Sequence, residues 1–535
     1  MKRPKALSLS FLVGMLLTCG FAQAKDTYQR HPEIDAIHYR VQLKVNPADS
    51  VIAGVTGILI ALNAPDVSQI PLDFGALTVD SVTVDDRRAV FTHSGERLTV
   101  KLDATNVPGV RVAVKVAYHG IPKDGLFIKA NKFGNRTAFA DNWPNRAHHW
   151  FPCIDHPYDK ALVSFIIEAP ADYDVVANGT LEETTYTGNG SKTTHWDEAT
   201  PIPTYCMVIG VARFSIIHAG SWNGIPATFY LYPEDRENGL LEFGHTLRIL
   251  EFFTQLIGPY PYEKLAQVES STRFGGMENA SAIFYDEKAV NGSGRMEGTV
   301  AHEVAHQWFG DSVTGADWHH VWLSEGFATY LTAVYFERWY GHARFLDQMK
   351  RSKARYLERY AKTPGPINDS RITEPFGLLN AYPYSKGAWT LHMLRGLMDD
   401  NTFFNGIRAY YRTYRDRVVL TEDFQRVMEA HYGKPLDWFF HQWINESGHP
   451  VFSTSWKWDV KRKEVRIAVR QTQVGVVYRT PLSVSVTGNG ETVSRSLDLT
   501  ERNTVVTLPF ATHPDQIVVD PDEWVLKEST IHEEK

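Results

Sequence analysis

His302 and His306 stand four residues apart in the stretch GTVAHEVAHQWF, with Glu303 beside the first. On a helix that spacing puts both imidazoles on one face a turn apart, where two ring nitrogens can reach one zinc ion. The chemistry such a pair serves is hydrolysis. Zinc activates water, and Glu303 is placed to take the proton rather than to bind metal. A site of the HExxHxxGxxH type needs glycine and histidine at positions 309 and 312; the chain has Phe309 and Ser312, so the third ligand must come from elsewhere. Eighteen residues separate His306 from Glu325, which opens a second helical run, SEGFATYLTAVYFERWYG, ending at Gly341. A carboxylate there either stabilises a helix N-terminus or completes a His₂Glu site with one position left for water. Paired with HExxH, the second reading is the stronger.

The elements that must hold these residues read β, then α, then β. Val41, Leu43 and Val45, and again Val110, Val112, Val114 and Val116, repeat with a period of two, and Asn178-Gly179 and Asn189-Gly190 mark turns. From about Gly239 the period becomes helical, through Leu240, Phe243, Leu247, Leu250 and Ile257. Alternation returns after His449-Pro450. Trp456, Trp458 and Val460 face Val465, Ile467 and Val469 across a charged turn, and Leu482, Val484 and Val486 face Val493 across Asn489-Gly490. The expectation is a multi-domain α+β chain: a β domain over 25–218, a mostly helical catalytic domain over 219–447, a small β-sandwich over 448–527 and a tail over 528–535.

Residues 1–24 stand apart. Lys2, Arg3 and Lys5 precede an apolar run from Ala6 to Phe21, and Ala22-Gln23-Ala24 offers small residues where a signal peptidase reads. The run is shorter than the roughly 20 residues a membrane span needs, so cleavage before Lys25 and an exported chain, periplasmic or secreted, are expected. Lipid attachment at Cys19 is disfavoured by the bulk of Thr18. Removing the leader's three cations takes the formal charge from −7 to −10, the opposite of a nucleic-acid binder's basic footprint, and no membrane span is expected in the mature chain. Only Cys153 and Cys206 then remain, which excludes a disulfide scaffold and leaves a pair or two buried thiols.

At this point the sequence resembles the M1 (gluzincin) zinc aminopeptidases, relatives of aminopeptidase N and leukotriene A4 hydrolase. The resemblance is carried by HEVAHQWFGDSVTGADWHHVWLSEGFATY, by Gly275-Gly276-Met277-Glu278-Asn279 as that family's GxMEN, and by Tyr384 in PYSKGAWTLHML. A weaker match is FPCIDHPYDKA, with His156 in place of a glutamate. It implies a thermolysin-like catalytic domain and one zinc per chain on His302, His306 and Glu325. It further implies Glu303 as base, Tyr384 as hydrogen-bond donor to the oxyanion, and the 275–279 segment as the substrate-binding edge. There Glu278 takes the free α-ammonium of a peptide, and Gly275 and Gly276 allow close backbone approach. Trp143 or a neighbour stands where many members carry a Gln or Glu that helps hold the amine; Asp141 is one substitute, and an apolar first subsite is the other reading. The family's large C-terminal helical domain is not recognisable here, which implies a more open site or closure by oligomerisation; the oligomeric state is unset. A zinc endopeptidase of broader specificity and a catalytically silent peptide-binding homologue stay open beside the aminopeptidase.

Overall fold

The computed structural model describes residues 26–102 and 106–534. The leader, with Cys19 and the expected cleavage point, lies outside the described residues. None of the helices described is long and apolar enough to cross a membrane.

The N-terminal domain is built on an eight-stranded sheet whose middle is Lys160–Pro170, Ile34–Val45, Ile52–Leu62 and Val110–Gly120, in that order. Ile34–Val45 runs parallel to Lys160–Pro170, with Val41 opposite Phe165, and antiparallel to Ile52–Leu62. The period of two has its expected cause: Val41, Leu43, Val45, Val114 and Val116 are all buried, while alternate residues such as Lys44 face solvent. A three-stranded sheet (Gln69–Asp73, Arg97–Lys101, Phe91–Ser94) and a four-stranded one (Asp174–Ala177, Ile209–Ala212, Arg136–Ala140, Leu126–Ala130) complete the domain.

The catalytic domain begins with a sheet rather than a helix. Ser215–Trp222 pairs with Ile225–Leu231, which runs parallel to Leu265–Ser270, and that strand to Ala282–Asp286. Residue 218 therefore falls inside a strand of the catalytic domain, and the boundary belongs a few residues earlier. Helices then dominate to Asn445. At the C-terminus, Asn503–Pro509, Glu464–Gln471, Val451–Asp459 and Glu528–Glu533 form one sheet and Glu491–Leu499, Thr480–Gly488 and Gln516–Val519 a second. Val465, Ile467, Val469, Leu482, Val484 and Val486 are buried in its core. The tail expected over 528–535 is corrected: Glu528–Glu533 pairs in parallel with Val451–Trp456. Every residue of that edge strand is exposed, so it has no apolar alternation to reveal it.

The N-terminal domain grips the end of the helix Glu297–His306. Lys160 Nζ donates to the carbonyls of Asp311 and Ser312 at 2.8 and 2.7 Å, and Tyr205 Oη donates to that of Gly310 at 3.0 Å. Cys153 and Cys206 are separate buried thiols, Cys206 donating to Asp311 Oδ1 at 3.3 Å.

Candidate active site and metal centre

His302 and His306 lie in the helix Glu297–His306, and Glu325 lies in the first turn of Trp322–Tyr340, which stops at Gly341 with φ 84°. The two helices bring the three side chains to one point. His302 Nε2 and His306 Nε2 are 3.0 Å apart, and Glu325 Oε2 is 3.2 and 3.3 Å from them. Zinc bonds of about 2.0–2.1 Å in a tetrahedron put ligand atoms about 3.3 Å apart, so the donor set fits zinc without rearrangement. The far nitrogen of the His306 ring is held too, with Nδ1 2.9 Å from Ser324 Oγ and 3.2 Å from the Phe309 carbonyl, which turns Nε2 toward the centre. The groups act on one another electrostatically. Burial holds His302 down. It also opposes charge on His306, yet the Glu325 and Glu278 carboxylates carry that imidazole up to about 10. Burial would raise Glu325, but the two imidazoles bring it down to about 2.

Glu303 is buried beside the donors, and burial, opposed by His306 but aided by Glu278 and Glu325, pushes its carboxyl well above the usual range. Its carboxylate occupies the space where a Cβ at Gly276 would stand. Nothing lies within 4 Å of the corresponding position at Gly275, whose face is open to the cleft. The two glycines thus differ: Gly275 leaves its face of the cleft open, and Gly276 leaves room for the Glu303 carboxylate. Gly276→Ala is expected to displace the carboxylate and lower kcat on the order of 10²-fold, the cost of about 1 Å of misplacement. Zinc content should stay unchanged. Steady-state kinetics with metal analysis check this; a variant with full kcat would show that Glu303 needs no such seat.

Met277 exchanges backbone hydrogen bonds with Phe284, N–H to O distances of 2.8 and 3.0 Å, which docks the 275–279 segment on the outermost strand of the catalytic sheet. Gln307, next to the ligand His306, fixes the same segment from below: its Nε2 donates to the Glu278 carbonyl at 2.7 Å and its Oε1 accepts from Ser281 N–H at 2.8 Å. Glu278 lines the cleft with the zinc donors, buried, and no Lys or Arg among the described residues pairs with it. Its carboxyl is pushed upward, first by burial. Asn279, expected at the substrate edge, is wholly buried and does not line the cleft.

Tyr384 sits in a π-helical turn, Tyr382–Lys386, and donates to Glu325 Oε1 at 2.7 Å. Burial, then Glu325, pushes its phenol well above the usual range, so it keeps the proton it can donate. Its placement depends on two glycines that sequence reasoning passed over. A Cβ on Gly326 would come within 3.1 Å of Gly387 Cα and the Pro383 carbonyl, so the chain carrying Tyr384 lies directly on the residue after Glu325. The short EG and KG pairs were the available signal.

Trp143 lines the same cleft, of about 570 Å³ and open to solvent, with Phe274 and Leu379, and meets Phe274, Trp318 and Phe376 edge-on. Asp141 is almost fully buried and bound by Arg146, with Arg273 Nε 3.6 Å away, so its charge is already answered within the chain. The cleft wall at Trp143 is aromatic rather than acidic. His156, in the glutamate position of FPCIDHPYDKA, is 2.8 Å from Asp26 and stacks on Tyr28, tying the described N-terminal segment to Asp317, the N-cap of Trp318–His320.

Comparison with known proteins agrees with this geometry. Residues 35–206 match the model of the peptidase M1 N-terminal domain and residues 241–443 that of the peptidase family M1 domain, together more than two thirds of the chain. A probable aminopeptidase 2 of Sulfurisphaera tokodaii is 28% identical over 451 residues, 79% of this chain and 55% of its own. Aminopeptidase M1 of Arabidopsis thaliana is 27% identical over 469 residues, 81% of this chain and 53% of its own. The chain thus spans about half the length of these relatives. An M1 zinc metallopeptidase of Deinococcus radiodurans superposes with a TM-score of 0.67 at 26% identity, over 78% of this chain and 95% of that one. A mutant of the Deinococcus enzyme with a bound Tyr-Ser-Ala substrate gives 0.66 at 25% identity, over 78% and 96%.

Proposed function

The chain belongs to peptidase family M1, and we propose that it acts as a zinc-dependent aminopeptidase, releasing N-terminal residues from peptides. The observation that carries the exopeptidase reading is the Glu278 carboxylate. Its oxygen, one from Glu303 and a nitrogen of His306 lie within 4.8 Å of one another, and no Lys or Arg among the described residues pairs with Glu278. A free α-ammonium supplies such a cation, and a substrate so held presents its first peptide bond, not an internal one, to the reacting groups.

His302, His306 and Glu325 would hold the zinc, which when bound would supply Lewis acidity to the scissile carbonyl and to water. The chain's own groups do the rest. Glu303 accepts the proton of the attacking water and returns it to the leaving amine. Tyr384 turns its O–H from Glu325 to the oxygen on which charge develops. The Gly275 edge holds the peptide extended, and Trp143, Phe274 and Leu379 receive the first side chain, which favours apolar or aromatic residues there. The basic and apolar leader of residues 1–24 supports action after export.

Acetylating the substrate's N-terminus is expected to lower kcat/KM by about 10–100-fold, the worth of a hydrogen bond to a charged group. Paired aminoacyl and acetyl-aminoacyl reporters, with and without a chelator, test the reading. Equal cleavage of both would move the protein to the endopeptidase class. No cleavage of either by the zinc-loaded chain would leave the silent peptide binder.

A further inference from the structure

We propose that the N-terminal domain holds a second divalent-metal site, of the zinc class, on Glu96, His148 and His149. The two histidines close a one-turn 3₁₀ helix, Ala147–His149, with ring centroids 4.2 Å apart. Glu96 comes from elsewhere, following Gly95 (φ 62°) in the turn of the hairpin Phe91–Ser94 and Arg97–Lys101. One donor atom from each residue lies within 4.8 Å of the other two.

The second observation is His148 itself, only 6% exposed. Its Nδ1 is 2.7 Å from Asp155 Oδ2, and the same oxygen accepts the His148 backbone N–H at 3.0 Å. Asp155 is fixed in turn, its Oδ1 accepting from Thr204 Oγ1 at 2.8 Å. With Nδ1–H donated to a carboxylate, Nε2 presents its lone pair on the opposite side, the arrangement that orients and strengthens a metal-ligating histidine. That Nε2 is buried, has no hydrogen-bond partner among the described residues, and points toward Glu96 Oε2 at 3.8 Å. A buried polar atom left so is unfavourable unless something completes it.

His149 lies against Gly75, where a Cβ would come within 2.8 Å of its Nδ1, and neither ring nitrogen has a hydrogen bond among the described residues. The Glu96 side chain is 67% exposed and free to close the remaining distance. Two imidazoles and one carboxylate suit zinc over calcium or magnesium, and the solvent side leaves room for water as fourth ligand. None of the three residues lines the catalytic cleft. Bound metal would join the hairpin turn to the 3₁₀ segment, a structural clasp rather than part of hydrolysis.

The test is the zinc content of the full chain, loaded with zinc alone and freed of excess by gel filtration, for the unsubstituted protein, Glu96→Gln and His149→Gln. Two zinc ions per chain are expected, falling to one in either variant, with reporter hydrolysis unchanged and the second binding constant weakened at least about tenfold. One zinc in all three proteins would overturn the proposal and leave Glu96 and His148 as an ion pair only. Two in all three would place the extra ion elsewhere and overturn it equally. One in the unsubstituted chain and none in the variants would keep this site and remove the catalytic one, so the two readings fail separately.

Discussion

Glu303→Gln is expected to lower kcat by about 10²–10⁴-fold while zinc content and KM stay close to those of the unsubstituted chain. The amide matches the carboxylate in size, so it still fits over Gly276, where only a glycine leaves the space. It contributes no metal donor, because the converging atoms belong to His302, His306 and Glu325. What it loses is the capacity to hold a proton between water and the leaving amine. A loss confined to kcat is the mark of an interaction made in the transition state, whereas a raised KM alone would assign Glu303 to substrate binding. Near-normal turnover would mean that another group takes the proton.

Glu325→Ala is expected to release the catalytic zinc and abolish hydrolysis with it. Two imidazoles on one helix face remain, but no third donor comes within reach from the second helix. Affinity should fall by more than the 10–100-fold that removing a mere supporting partner costs. Zinc analysis after dialysis reads the loss directly, and the Glu96–His148–His149 site should keep its own ion. The substitution also frees the Tyr384 hydroxyl, which donates to Glu325 Oε1. Glu325→Gln therefore serves as companion: it retains a hydrogen-bond acceptor for Tyr384 yet lacks the anionic ligand. Full zinc occupancy in both variants would sink the assignment of Glu325.

The convergence of His302, His306 and Glu325 was legible because the helix repeat turns sequence distance directly into spatial distance. His302 and His306 need only one helix, and Glu325 needs only the start of the next. Alternation revealed the strands that bury one face, such as Ile34–Val45 and Glu464–Gln471. Glu528–Glu533 escaped because neither of its faces is covered. Other features depend on meetings between distant segments, which no local period encodes. Gly276 under Glu303, Gly326 against Gly387, and Gln307 beneath Glu278 are each made by chain passing close to chain. Asp141 illustrates the converse: its type suited an amine, but Arg146, five residues on, had already claimed the charge.

The grip of Lys160 and Tyr205 on the carbonyls of residues 310–312 has a bearing on modularity. Those carbonyls follow directly on the helix that carries His302 and His306, and Gly310, Asp311 and Ser312 are buried. Excised alone, the catalytic domain would expose the underside of its own metal helix and leave backbone acceptors without donors. The N-terminal domain is part of what holds the metal-binding helix in place.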